Sequence, residues 1–223
     1  MTAAAKPAAA LLPAHLRHIV IEGPIGVGKT TLARRLADRL DARLMLEAPE
    51  DNPFLDRFYR DGARYALPTQ MFFLFQRVQQ QQALAQPDLF DRLVIGDYLL
   101  DKDRLFARLT LDADELRLYE QLHAHLAPSP AAPDLVIYLQ APPERLVERV
   151  GRRGLRAESG LTAAYLRDLS DAYVRFFHAS DAAPLLTVNT EHLNPADRDA
   201  DVDLLLQRIG AMRGRREFFN LAA

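Results

Sequence analysis

His18-Ile19-Val20-Ile21-Glu22-Gly23-Pro24-Ile25-Gly26-Val27-Gly28-Lys29-Thr30-Thr31 is the stretch whose reading decides the fold. From Gly23 it matches the phosphate-loop pattern G-x-x-x-x-G-K-[ST] at every fixed position. The residues before it, His18 to Glu22, form a short β-branched apolar run, which predicts a buried strand. After it, from Thr31 to Asp41, Leu32, Leu36 and Leu40 recur at helical spacing. Strand, glycine-rich loop and helix is the context that turns this pattern into a site.

The residue types carry the chemistry. Glycines at 23, 26 and 28 let the backbone curl so that several N–H groups point inward. Those donors and the helix N-terminus together suit a polyphosphate. Lys29 is expected to reach the outer phosphates, and the Thr30 hydroxyl to ligate Mg²⁺. Gly23, Pro24, Ile25, Gly26, Val27, Gly28, Lys29, Thr30 and Thr31 are therefore the expected nucleoside triphosphate site. The competing reading is a glycine-rich turn that happens to precede a helix, and both flanks argue against it.

Further out, four more apolar runs read as strands: Arg43–Glu47, Leu93–Asp97, Asp134–Leu139 and Leu185–Asn189. Helical patterns separate them: Pro53–Tyr59, Gln70–Ala85, Ala113–Leu126, Pro143–Val150, Ala163–His178 and Ala200–Arg213. The alternation predicts an α/β fold of the P-loop type, with three layers and a five-stranded parallel sheet. In such sheets ligands sit beyond the carboxyl ends of the strands, so candidates are sought just after each strand.

The bulk numbers set bounds. The chain has 223 residues, enough for one domain with a real core, and residues 15–223 are read as that domain. The Ala- and Pro-rich segment 1–14 is read as a disordered tail. The formal net charge of −2 gives no global pull toward nucleic acid or anionic membrane, and no partner of either kind is expected. No apolar run approaches the ~18 residues that span a bilayer. Cys is absent, which excludes disulfides and suits a reducing cytoplasm.

Glu47, at the end of the second strand, opens the turn-rich loop Ala48-Pro49-Glu50-Asp51-Asn52-Pro53 and is placed as a general base, with a surface acid beside a turn as the alternative. Asp97, at the end of the third strand, is placed as a second Mg²⁺-associated carboxylate, or else as a helix cap. Arg145, Arg149, Arg153 and Arg156 step by four, four and three along one helical face, with Arg152 beside them. Five arginines against Glu144 and Glu148 suit an Arg-rich lid over transferring phosphates, with Gly151 and Gly154 as hinges. Gln79 to Gln82 read as a solvated helix end, and the basic tail from Met212 as a solvated terminus.

Several of these pieces, in this order, resemble the deoxynucleoside kinase family. The pieces are the phosphate loop, the Glu47 loop, Asn52-Pro53-Phe54-Leu55 with Phe58-Tyr59-Arg60-Asp61, Ala66-Leu67-Pro68-Thr69-Gln70, the strand-three acid, and Arg152-Arg153-Gly154 with Glu158, Tyr165 and Leu166. The resemblance runs from about His18 to Phe177. It implies an ATP- and Mg²⁺-dependent kinase that phosphorylates the 5′-hydroxyl of a deoxynucleoside, and it implies a homodimer. Glu47 then looks like the base for that hydroxyl, and Tyr59 and Glu158 like the pair on the deoxyribose 3′-hydroxyl. Gln70 looks like the carboxamide on the base edge, and Arg77 with Asp103 like the charged pair of members that prefer deoxyadenosine, deoxyguanosine or deoxycytidine over thymidine.

Two departures stand out. The family's acid-Arg-Ser after the third strand reads Asp97-Tyr98-Leu99 here, so another cation must serve, with Lys102 and Arg104 as nearby candidates. The lid's R-G-R reads Arg153-Gly154-Leu155, with Arg156 displaced by one position, so the resemblance implies Arg149 and Arg153 as the catalytic cations. Two other readings compete with the kinase reading. A thymidylate-type monophosphate kinase would use Arg57 and Arg60 on an acceptor phosphate. A low-turnover nucleotide-binding module would bind ATP without a product.

Overall fold

Ile19, Val20 and Ile21 are all but inaccessible to solvent, and they form the middle of the central strand, β1 (His18–Glu22). A strand apolar on both faces must be covered on both, and this one is. The computed structural model describes residues 12–84, 93–126, 132–154 and 161–221. Around β1 lie β2 (Arg43–Met45), β3 (Val94–Gly96), β4 (Leu135–Gln140), β5 (Leu185–Asn189) and β6 (Arg216–Phe219). All are parallel, in the order β2-β3-β1-β4-β5-β6, with Ile19 opposite both Ile95 and Leu135.

The helices are α1 (Lys29–Leu40), α2 (Leu55–Phe58), α3 (Gly62–Leu84), α4 (Lys102–Thr110), α5 (Ala113–Leu126), α6 (Pro143–Arg153), α7 (Ala163–Ala179) and α8 (Asp199–Ala211). Leu32, Leu36 and Leu40 of α1 join Val202, Leu205, Leu206 and Ile209 of α8 in the largest core cluster. Each such side chain contributes about 1.5–3 kcal/mol by leaving water. Leu105 of α4 and Leu169, Tyr173 and Phe177 of α7 pack in a second cluster with Val136, Tyr138 and Leu185 of the sheet. Leu74 and Val78 of α3 meet Ala107 of α4 and Tyr119 of α5 in a third.

Several features differ from the expectation. The sheet has six strands, not five. Arg216–Phe219, read as part of a solvated tail, pairs with β5, and Arg216 is held by the carbonyls of Phe177 and Ser180 and by the Asp181 carboxylate. Helix α3 begins at Gly62, eight residues before the expected start at Gln70, and runs through Pro68. A proline in a helix interior loses one hydrogen bond and strains a turn. Here Ala66, Thr69, Gln70, Phe73, Leu74, Arg77 and Val78 form one continuous buried stripe, and its packing outweighs that loss.

The sequence reading also passed over α4. Two of its buried positions are Lys102 and Asp103, so its inward face does not look apolar. In the N-terminal segment, Leu12 packs against the main core, while residues 1–11 lie outside the described residues.

Candidate active site

Gly23, Gly26 and Gly28 all have positive φ. A Cβ at Gly23 would meet the Leu139 carbonyl oxygen at 2.4 Å, and one at Gly26 would meet the Val150 side chain at 2.8 Å. The loop is thus threaded tightly between β4 and α6, at a closeness only glycine allows. Gly28 is the N-cap of α1 and offers no side-chain acceptor, so the first N–H groups of the helix have no capping side chain. That is the makeup of an anion site. Lys29 Nζ donates to the carbonyls of Gly23 and Pro24, at 2.8 and 3.1 Å. Burial chiefly, and then Lys102, lowers its pKa to about 8, against the opposing pull of Glu22, Glu47 and Asp97.

Beside the loop is a cavity of about 440 Å³, lined by Gly26, Val27, Gly28 and Thr31, by Arg145, Arg149, Arg152 and Arg153 of α6, and by the segment from Glu191 to Arg198. Its size and cationic wall fit a nucleoside triphosphate. Arg149 is held by Thr190, at 3.0 Å to the hydroxyl and 2.8 Å to the carbonyl, and by the Val27 carbonyl at 3.4 Å. Arg145 and Arg152 pair with Glu148 on the exposed side of α6. Arg153 lies near Tyr59, whose hydroxyl pKa is raised by burial and then by Tyr165 and Glu47.

Asp97 sits between two partners. Its Oδ2 accepts the Thr30 hydroxyl, and its Oδ1 accepts the Glu47 backbone N–H at 2.8 Å. Burial raises its pKa, against the two hydrogen bonds. A threonine hydroxyl and a carboxylate oxygen meeting at one point are hard oxygen donors, and they fit Mg²⁺.

Glu47 itself is gripped from four sides. Gln80 Nε2 holds the carbonyl of Leu46 at 3.0 Å, and Gln76 Nε2 holds that of Ala48 at 3.3 Å. Arg77 pairs with its Oε1, and Lys102 Nζ lies 3.3 Å from its Oε2. Burial would raise the Glu47 pKa, but Arg77 and Lys102 outweigh it and hold the carboxylate down to about 2. Arg77 also pairs with the fully buried Asp103, and Lys102 with the fully buried Glu22 at 3.4 Å. Five buried or half-buried charges thus alternate in a row: Glu22, Lys102, Glu47, Arg77, Asp103. Gln70 lies in the same layer, with Nε2 donating to the Thr110 hydroxyl at 3.3 Å and Oε1 buried without a partner.

Residues 19–210 match the family model described as deoxynucleoside kinase. The chain belongs to the deoxynucleoside kinase family. It is 36% identical to a deoxyguanosine kinase of Bacillus subtilis (strain 168), over 77% of this chain and 84% of the relative. It is 33% identical to a deoxyadenosine kinase of Dictyostelium discoideum, over 80% of this chain and 74% of the relative. In fold it is similar to a deoxyadenosine kinase from M. mycoides solved with bound dATP, with a TM-score of 0.76 at 21% identity, covering 86% of this chain and 98% of that one. The protein is therefore a kinase that acts on a nucleoside.

Within this kinase, hydrogen bonds and ion pairs link the expected site residues Thr30 to Asp97, Asp97 to the Glu47 backbone, Glu47 to Arg77 and Arg77 to Asp103, while Lys29 bonds within the loop, Arg149 reaches the Val27 carbonyl, Arg153 lies near Tyr59 and Gln70 reaches Thr110. Glu158 and Arg156 lie outside the described residues. Gly154 ends α6 in a left-handed conformation, but Gly151 is inside the helix and ends nothing. Arg57 and Arg60, the residues needed by the monophosphate-kinase alternative, are exposed, with Arg57 over the Tyr65 ring and Arg60 on the Asp56 carbonyl. Of the two candidate replacement cations, Lys102 is buried against Glu47 and Arg104 is exposed. Sequence reasoning missed Glu22, Gln76 and Gln80. The i, i+4 spacing of the two glutamines was the available signal, since it puts both on one side of α3. Gln81 is buried and Gln80 half-buried, while Gln79 and Gln82 are exposed, so only part of this tract is a solvated helix face.

Proposed function

We propose that this kinase transfers the γ-phosphoryl group of ATP to the 5′-hydroxyl of a deoxynucleoside, favouring deoxyadenosine, deoxyguanosine or deoxycytidine over thymidine. The observation that carries the reading is Glu47: a carboxylate kept ionised by two buried cations, its backbone N–H held by Asp97, which also accepts the Thr30 hydroxyl. The acceptor hydroxyl gives its proton to Glu47 as the new O–P bond forms. The bond from phosphorus to the bridging oxygen of the donor breaks, and ADP leaves with that electron pair. The loop amides, α1 and Lys29 hold the donor phosphates, while Arg149 and Arg153 face the charge that moves. Thr30 and Asp97 would hold Mg²⁺, which supplies charge neutralisation on the phosphates.

The acceptor side is read in the same way. Tyr59, with Glu158, would take the 3′-hydroxyl. Gln70 brings an unpartnered buried oxygen to the base edge, and the Arg77–Asp103 pair supports a base with an exocyclic amine or a purine ring. Relatives described as deoxyguanosine and deoxyadenosine kinases point the same way.

We also propose a homodimer through α3 and α5, supported by Phe75 and Leu118, which are 48% and 46% exposed. Sedimentation at micromolar concentration tests it, with a monomer as the outcome against it. A cytoplasmic location is proposed on the absence of Cys, and no helix among the described residues is long and apolar enough to cross a membrane.

The test of function is a phosphoryl-transfer assay with Mg-ATP and each of the four deoxynucleosides, with their monophosphates in parallel. Turnover of a purine deoxynucleoside or deoxycytidine, with thymidine poor, is expected. Turnover of monophosphates alone would sink the reading. Glu47→Gln is expected to lower kcat by about 10²-fold, the scale of a lost general base.

A further inference from the structure

Glu22 is the residue immediately before the phosphate loop, and neither its type nor its place is explained by holding phosphates. It is fully buried. Its Oε2 accepts the Gly23 N–H and the Tyr173 hydroxyl, both at 3.0 Å. Its Oε1 accepts the Leu99 N–H at 2.7 Å and faces Lys102 Nζ at 3.4 Å. Every lone-pair direction of this carboxylate is taken, so it cannot act as a base. Glu47 differs. Each of its oxygens has one cation, which leaves acceptor capacity for a hydroxyl.

Lys102 joins the two. It is 2% exposed, and its ammonium is set 3.4 Å from Glu22 and 3.3 Å from Glu47. A buried lysine between two carboxylates is costly to build unless both contacts are kept. Tyr98, in the position where the family pattern has arginine, brings no charge of its own; its ring is fully buried 5.9 Å from the Arg77 guanidinium. The ammonium at this end of the Glu47 carboxylate therefore comes from α4.

We propose that Lys102 is a positioning residue for phosphoryl transfer, acting through Glu47 Oε2, and that Glu22 anchors it in register with the phosphate loop. The inference rests on Glu47 serving the acceptor hydroxyl. With Arg77 on one oxygen and Lys102 on the other, the carboxylate has a single orientation, and the loop that holds the donor sets the place of Lys102 through Glu22. Misplacing a reacting group by about 1 Å costs on the order of 10²-fold in rate.

The test compares the full-length wild type with Lys102→Met, Lys102→Arg and the double variant Glu22→Gln/Lys102→Met. Readouts are kcat, nucleoside KM, affinity for a fluorescent ATP analogue, and melting temperature. Lys102→Met is expected to lose about 10²-fold in kcat, with nucleoside KM and ATP-analogue affinity within about threefold. Lys102→Arg keeps the charge and should recover kcat to within about tenfold of wild type. The double variant removes both buried charges, so the lone Glu22 charge no longer contributes to any loss, and turnover should still not return. Wild-type turnover in the double variant would mean that Lys102 only neutralises Glu22, and would overturn the inference. Unchanged kcat in Lys102→Met would do the same. If the wild type itself phosphorylates no deoxynucleoside, the proposed function fails and takes this inference with it.

Discussion

Arg149 donates to both oxygens of Thr190, the hydroxyl at 3.0 Å and the carbonyl at 2.8 Å. The same hydroxyl donates to the Gln140 carbonyl at 2.9 Å, so it is a fixed acceptor. This ties the middle of α6 to the ends of β4 and β5 and aims the guanidinium along the wall of the donor cavity. Thr190→Val keeps the shape and deletes the acceptor. It is expected to lower kcat/KM for ATP about three- to tenfold, and Arg149→Met to lower kcat by about 10²-fold or more. Steady-state kinetics with ATP varied would check both. Equal effects from the two variants would show that the Thr190 contact carries the whole role of Arg149.

Asp97 serves two partners with two oxygens, so one substitution can separate them. In Asp97→Asn the carbonyl oxygen can still accept the Glu47 N–H, while the amide replaces the charge beside Thr30. The half-saturating Mg²⁺ concentration is expected to rise at least about tenfold, with nucleoside KM little changed. A Mg²⁺ titration of kcat reads this directly. A rise in nucleoside KM alone would move Asp97 from the metal to the Glu47 loop.

Gln70 brings a buried, unpartnered Oε1 to the layer of Arg77 and Asp103. Gln70→Leu removes both the acceptor and the donor to Thr110. Nucleoside KM is expected to rise at least about tenfold, because a polar base edge is left unmatched, while ATP KM stays within about twofold. Kinetics with each substrate varied in turn would decide, and a larger effect on ATP than on nucleoside would remove Gln70 from the acceptor site.

The pH dependence follows from Lys29 and Glu47. Burial brings the Lys29 pKa down to about 8 in the free protein, so its positive charge is lost as pH rises through that value. kcat/KM for ATP should therefore fall above about pH 8, and Lys29→Met should flatten that limb. Glu47 is held down to about 2, against its ordinary 4.5, by Arg77 and Lys102 acting against burial. A carboxylate with a lowered pKa stabilises the fold above its unfolded value and loses that contribution as pH falls from about 4.5 to about 2. Acid melting curves of wild type and Glu47→Gln should converge across that window.

Much of the fold was legible because its signals are local. Leu32, Leu36 and Leu40 mark α1, and Ile19 to Ile21 mark a strand covered on both faces, without reference to the rest of the chain. The misses share one cause. α4 hides its inward face because Lys102 and Asp103 occupy it, α3 runs through Pro68 because a long buried stripe outweighs one lost hydrogen bond, and β6 is recruited by the open edge of β5. In each case a tertiary contact overrides the local preference.

The same division holds at the site. The phosphate loop is determined by the sequence itself, because its anion donors are backbone groups whose geometry follows from glycine spacing and the start of a helix. Glu47 and Asp97 were legible as acids after strands, since a parallel sheet gathers strand ends on one side. What only the tertiary structure decided is which cations meet Glu47. Lys102 and Arg104 stand two apart on one helix, and no pattern in the chain separates them. The packing of α4 against α3 and α7 buries the first between Glu22 and Glu47 and turns the second to solvent, because helical residues two apart face different directions.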